Sequence, residues 1–353
     1  MLCALQSEAK ITGACSNCHT MHNSQNGQHM IILGPGETDT SPKNNLLRAS
    51  CLGCHSKTDG SSWKDPVTGA PVVFNTLQPS YNSATGLAGG NFYWVQSDDA
   101  KGHNITQADG NLTVAPGASN GLGCGTTSCH QNLYTANTAF GARQGCSNCH
   151  MMGNSSGPTG YHHNNTNGTL ADSAEEGWYR FLAGHMSGDG QGVTGIEDSD
   201  WQQNPGASVH NEYLGYSATK TSAGGFSACG NTVTGYCTGC HGNFHIQDDT
   251  TAGSPWIRHP SDFIVPGSGE YSSAFNASGG TGTYDPLVPV ARPSLSGWTG
   301  PSSTVTLGTD LVMCLSCHRA HASPYFKMVR WDYRGWPGNA GTNGCTVCHT
   351  SKN

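Results

Sequence analysis

Six times in 353 residues the chain repeats one short unit: two cysteines separated by two residues, followed at once by a histidine. The units are Cys15/Cys18/His19, Cys51/Cys54/His55, Cys146/Cys149/His150, Cys237/Cys240/His241, Cys314/Cys317/His318 and Cys345/Cys348/His349. No other feature constrains the fold so strongly. Cys-x-x-Cys-His is the attachment signature of c-type haem, in which both thiols tether the macrocycle and the histidine ligates its iron. All three groups must come from one tight turn, which accounts for the fixed spacing. A structural zinc site pairs Cys-x-x-Cys units with each other and does not demand a histidine after every pair. Disulfides leave the histidines unexplained.

A seventh unit has a longer spacer: CGTTSCH places Cys124, Cys129 and His130 together, with Gly125 giving the backbone freedom to bulge. Seven sites use fourteen of the 16 cysteines and leave Cys3 and Cys229. Covalent haem attachment takes place outside the cytoplasm, so the expected location is exported, extracellular or at the cell surface. There the two remaining thiols are free to pair as a disulfide.

Composition agrees with a cofactor-built interior. Hydrophobic residues make up 35% and charged residues 11%, while glycine alone fills 49 positions. Such a chain lacks the aliphatic side chains for an ordinary core, and its glycines weaken helices and strands alike. The expected fold is therefore mostly irregular coil with short α-helices and few strands, a multihaem c-type cytochrome in which stacked haems form the core. Motif spacing has no fixed period and no boundary separates independent units, so residues 1–353 read as a single seven-haem domain. Short helices are expected at the Cys-x-x-Cys-His turns and over 172–183, where Asp172 is placed to cap. Brief strand signals occur at 72–74 and 112–114. Apoprotein should be largely unfolded.

The formal charge of -7 gives no electrostatic case for nucleic acid or an anionic membrane surface. No stretch approaches the ~20 apolar residues of a transmembrane helix. The opening MLCALQSEAK is too short for a signal peptide and reads as the start of a mature chain. Six Asn-x-Ser/Thr sequons, at Asn104, Asn111, Asn154, Asn164, Asn167 and Asn276, are close to what composition alone gives.

After seven proximal histidines, ten of the 17 remain: His22, His29, His103, His162, His163, His185, His210, His245, His259 and His321. Seven six-coordinate irons need seven distal ligands, so histidine suffices, and bis-His ligation implies low-potential haems. His22 follows His19 by three residues, His321 follows His318 by three, and His245 follows His241 by four. At helical spacing such pairs point the same way and cannot clamp opposite faces of one iron. The second histidine must serve a different haem, which packs neighbouring macrocycles into a row.

The stretches CSNCHTMHNS at 15–24, SCLGCH at 50–55, KGHNI at 101–105, CTGCHGNFH at 237–245, IRHP at 257–260, CLSCHRAHAS at 314–323 and CTVCHTSKN at 345–353 resemble the OmcS-like extracellular multihaem c-type cytochromes, which polymerise into conductive filaments, or nanowires. They follow the family's order along the whole chain. The resemblance implies a coil-rich fold, bis-His iron and a head-to-tail homopolymer in which His22 ligates a haem of the adjacent subunit. It also points to His103, His245, His259 and His321 as distal ligands within a protomer. The chain departs from the six-haem pattern between 124 and 150, and the added haem needs ligands from elsewhere. His163 and His210 are the first choices, His185 and then His162 follow, and His29 is the spare. The function expected is electron transfer to minerals, other cytochromes or further redox partners, with no catalysis. Two alternatives differ in class. One is a soluble periplasmic multihaem shuttle. The other is a multihaem reductase with one open iron, although no CxxCK variant advertises one.

Overall fold

The computed structural model describes residues 14, 19–25, 27–29, 31–34, 37–42, 51–80, 86–105, 133–134, 145–150, 169–173, 176, 178–183, 192–216, 231–238, 241, 259, 261–336 and 343–351. Regular structure is short everywhere among them. Four α-helices occur: α1 (Cys51–His55), α2 (Val233–Thr238), α3 (Cys314–Cys317) and α4 (Cys345–Cys348). Each contains one or both cysteines of a Cys-x-x-Cys-His unit, and a further unit begins in the 3-10 turn Gly145–Asn148. Helix therefore appears where the motif forces a turn and stops beyond it, because the Gly/Ser/Thr-rich sequence that follows has little propensity to continue.

Strands pair in twos and threes. The largest sheet joins Leu170–Ala171, Gly195–Ile196 and Glu212–Tyr213 in antiparallel order. Thr281–Thr283 pairs with Thr304–Thr306, and the register Gly282↔Val305 buries that central pair. Phe74–Asn75 pairs in parallel with Ser56–Lys57, directly after α1. The 72–74 strand signal thus yields a strand that starts at Phe74 and runs one residue beyond it.

The helix expected over 172–183 is not formed in its described part. Leu170–Ala171 is a strand, and Tyr179–Phe181 is a 3-10 turn. Trp178, Arg180 and Phe181 take φ values of 59°, 48° and 61°. A left-handed backbone costs roughly 1–2 kcal/mol per residue and cannot continue a right-handed helix.

Apolar burial is divided among three small clusters. One gathers Val265, Phe275, Tyr284, Val288, Val290, Val305, Leu307, Val329 and Trp331, with Cys317, Cys345, Val347 and Cys348 packed on it. A second gathers Tyr179, Val193, Tyr213, Val233, Ala291, Leu311 and Met313 beside Cys237. The third joins Phe74, Phe92, Val95, Ile105 and Ala322, with Leu52 and Cys146 against it. Each aliphatic cluster is a wedge between cysteine-bearing turns, and the turns line its edges.

Candidate haem sites

The motif turns share one closure. The histidine N–H donates to the carbonyl of the first cysteine: His150 to Cys146 at 2.8 Å, His241 to Cys237 at 3.0 Å, His318 to Cys314 at 3.0 Å and His349 to Cys345 at 2.8 Å. This single helical bond closes the turn and brings the histidine and both cysteines onto one short stretch of backbone.

The imidazoles are then aimed by backbone carbonyls. Nδ1 of His55 lies 2.8 Å from Pro71 O, that of His150 lies 2.8 Å from Arg180 O, and that of His318 lies 3.0 Å from Lys327 O. Among the expected distal ligands, His103 Nδ1 lies 2.7 Å from Ala320 O. A carbonyl can only accept, so each Nδ1 carries the proton and each Nε2 keeps its lone pair. That is the tautomer required of a metal ligand oriented by its surroundings. Burial holds His55, His103, His150 and His318 below the ordinary imidazole value, and it brings His321 down to about 3. At neutral pH these rings are uncharged and able to ligate.

Two of the accepting carbonyls belong to left-handed residues, Arg180 at φ 48° and Lys327 at φ 59°. Both sit inside short 3-10 turns, Tyr179–Phe181 and Phe326–Met328. Bulky residues seldom adopt this conformation, and it persists only where surrounding bonds over-determine it. Arg180 is held by its N–H to Glu197 Oε1 at 2.7 Å and its guanidinium to Glu197 Oε2 at 3.1 Å. No signal in YRF or FKM gives this conformation away, because the partners lie outside the turn itself: Glu197, 17 residues on, for Arg180, and His318, nine residues back, for Lys327.

The strongest geometric feature is a set of histidine pairs. His103 and His241 have ring centres 6.1 Å apart, His150 and His321 6.0 Å, and His259 and His349 6.3 Å. A ligating nitrogen lies about 2 Å from its metal and about 1 Å from its own ring centre, so two rings on opposite faces of one metal are roughly 6 Å apart. Each pair joins one motif histidine to one histidine outside any motif. His321 faces His150 of another motif and not His318, its neighbour three residues back. These residues fit a covalently held, bis-ligated haem.

The turns also touch in sequence. The Cys146 thiol hydrogen-bonds to Cys51 and pulls the latter's pKa down to about 7. Tyr236 OH donates to Cys149 O at 2.6 Å. Cys237 hydrogen-bonds to Cys314, and Cys317, Cys345 and Cys348 pack on one apolar cluster. The five described turns therefore form one file: 51–55, 146–150, 237–241, 314–318, 345–349.

Other expected residues fall differently. His19 and the exposed His22 are described at the chain's beginning, with His22 at φ 52°. Cys54 is half-buried in α1, and the exposed His29 lies in the strand Gln28–His29. Cys3, Cys15, Cys18, Cys124, Cys129, His130, His162, His163, His185, Cys229, Cys240 and His245 lie outside the described residues, as does the strand signal at 112–114. Asn104 is buried at 5% exposure and bonded to Asp99, so that sequon is closed to a glycan.

His210 needs a correction. Both its nitrogens are taken by protein: Nδ1 lies 3.0 Å from Gly206 O and Nε2 lies 3.1 Å from Glu212 Oε1. Its ring stacks on Tyr284 at 3.5 Å, nearly parallel at 4°. With a protein oxygen against each nitrogen, neither is open to a metal. Glu212 also accepts from Arg292 Nε at 2.8 Å and from the Ser302 N–H at 2.8 Å, while Arg292 binds Asp310. His210 belongs to a buried ionic staple that ties the 206–213 segment to 292–310. The sequence placed it among ligand candidates only because histidines were in surplus.

Against known proteins, the model of the doubled CXXCH motif matches residues 309–353. The C-type cytochrome OmcS of Geobacter sulfurreducens is 27% identical over 386 aligned residues, which cover 90% of this chain and 78% of that protein. Two solved structures match in fold with a TM-score of 0.51, each over 92% of this chain and 85% of theirs: the Outer Membrane Cytochrome S filament from Geobacter sulfurreducens, at 19% identity, and the OmcS nanowires from the same organism, at 20%. The chain is similar to OmcS over most of its length. It has the fold of those multihaem c-type cytochromes, coil-rich with a few small helices and strands. The OmcS likeness spans 90% of the chain, well beyond the 309–353 segment that the motif model covers. No helix among the described residues is long and apolar enough to cross a membrane.

Proposed function

We propose that this chain is a seven-haem electron carrier of the cell exterior that polymerises head to tail, each protomer continuing its neighbour's row of haems. The three histidine pairs carry the reading, because a metal between the rings accounts for all three being held at 6.0–6.3 Å. Cys15, Cys18, Cys51, Cys54, Cys124, Cys129, Cys146, Cys149, Cys237, Cys240, Cys314, Cys317, Cys345 and Cys348 would tether the seven groups. His19, His55, His130, His150, His241, His318 and His349 would be proximal ligands. His103, His259 and His321 would complete the sites of His241, His349 and His150. His163, His245 and, in place of His210, His185 would serve others, and His22 would ligate a haem of the adjacent subunit.

When bound, haem iron cycles between ferric and ferrous forms and supplies the one-electron chemistry. The chain's own residues set the spacing and the ligand field. Carbonyls of Pro71, Arg180, Lys327 and Ala320 fix imidazole orientation, and contacts such as Cys51–Cys146 and Tyr236–Cys149 hold successive sites side by side. Closed irons on both faces leave no position for substrate, which favours a carrier over a reductase.

Cryo-EM of the native extracellular fraction tests the proposal. Filaments with an unbroken haem row and His22 bound to a neighbouring subunit's iron are the expected result. Discrete particles would make the chain a shuttle, and an iron with an empty face would make it a reductase.

A further inference from the structure

We propose that Arg330 is a positioning charge that raises the reduction potential of the haem site at Cys314–His318 above that of its neighbours, an inference that rests on this motif carrying a covalent haem. Arg330 is 2% exposed and is among the largest fully buried side chains. Two other inward arginines are paired with carboxylates, Arg180 with Glu197 and Arg292 with Glu212 and Asp310, while the buried Arg319 donates from Nη1 to Leu87 O at 2.6 Å. Arg330 has no such carboxylate among the described residues. Its guanidinium donates from Nε to Leu287 O at 2.9 Å and from Nη2 to Pro286 O at 2.9 Å, both neutral acceptors. A guanidinium keeps its proton even when buried, so a full positive charge stands in a low-dielectric interior without an ion pair.

Its position is fixed against the motif. The Arg330 N–H donates to Cys317 O at 2.8 Å, His318 bridges Val329, the Arg319 N–H donates to Met328 O at 2.9 Å, and His318 Nδ1 lies against Lys327 O. The segment 327–330 thus runs along the end of this motif, orienting its histidine at one end and setting a cation with no hydrogen-bonded carboxylate near its second cysteine at the other. Burying an unpaired charge is costly unless it acts on something. A ferric haem carries one more positive charge than a ferrous one, so a fixed cation nearby disfavours the ferric state. Reduction places one electron from the neighbouring site on the iron, and Arg330 neither gains nor loses a proton. Asp285, whose Oδ1 accepts the Leu287 N–H at 2.8 Å, is the anion next along the same loop.

The test is spectroelectrochemical titration of full-length holoprotein, with mass analysis of the 314–318 peptide to establish that it carries haem. Arg330→Gln should move one transition to lower potential. The expected size is about tenfold in the ferric-to-ferrous ratio at fixed potential, which is about 59 mV for one electron. Arg330→Lys should restore most of it, and Asp285→Asn should move a transition upward. A purely structural brace would lower stability in Arg330→Gln and leave every potential in place, which overturns the inference. Should Arg330→Gln fail to fold, unmoved potentials in Asp285→Asn overturn it equally. A 314–318 peptide without haem in the unmodified protein would instead remove the functional reading on which it rests.

Discussion

Replacing Gly89 with alanine should open one iron. A Cβ at this position would lie 2.8 Å from His321 Nδ1, 2.9 Å from Cε1 and 3.2 Å from Cγ. That leaves the ring about 0.6 Å short of ordinary van der Waals contact. Gly89 is not in the left-handed region, so the methyl adds no backbone strain of its own. The ring has nowhere to retreat. It stacks on Phe92 at 4.5 Å, the His321 N–H is tied to Gly89 O at 2.7 Å, and its carbonyl accepts the His103 N–H at 2.9 Å. Metal–ligand distances tolerate about 0.2 Å, so the displacement exceeds what a bond to the iron opposite His150 can absorb. Overpacking of this kind costs about 1–3 kcal/mol, roughly a 5- to 150-fold shift toward the unligated state. Ferric Gly89→Ala holoprotein should therefore show one high-spin haem per chain by EPR and visible absorption. Gly300→Ala, where the methyl meets nothing within 4 Å, should stay low-spin. A fully low-spin Gly89→Ala with unchanged potentials would mean that His321 does not ligate, and the pairing argument would fail with it.

Four further outcomes are expected. His210→Ala should lower the melting temperature while leaving haem count and spin state unchanged. Glu212→Gln strips charge from the same staple, and breaking a buried pair costs about 3–5 kcal/mol, readable by chemical denaturation. Burial pushes the Glu212 carboxyl up, but the His210 and Arg292 donors and the Ser302 N–H hold it below its ordinary 4.5. Its contribution is thus complete above pH 4.5 and lost as pH falls through the depressed folded value, and acid titration of stability should lose this step in Glu212→Gln. His22→Ala should yield discrete particles with one high-spin haem each, as seen by negative-stain microscopy and EPR. Protein produced without haem attachment should give a coil-like circular dichroism spectrum and no cooperative melt, because its three aliphatic clusters are small and edged by cysteines.

The sequence by itself determined the chemistry and the class of fold. Cys-x-x-Cys-His is a local device, closed by one helical hydrogen bond within five residues, so reading Cys314, Cys317 and His318 needs no knowledge of the rest of the chain. Scarcity of aliphatic side chains and abundance of glycine are likewise legible without coordinates, and they yield a coil-rich chain with short helices, though the helix also expected over 172–183 is not formed in its described part. What only the tertiary structure decided is which histidine faces which. His103 meets His241 across 138 positions of chain, and His321 reaches back to His150, because carbonyls of Ala320 and Arg180 aim the rings. His210 and His103 look alike in sequence. One lies between Gly206 O and Glu212 with both nitrogens occupied, while the other has an acceptor at Nδ1 and a second imidazole beyond. The left-handed turns at Arg180 and Lys327 escaped the sequence for the same reason. Their conformation is imposed by distant partners, and an imidazole's role depends on what stands against each nitrogen, which residue order does not encode.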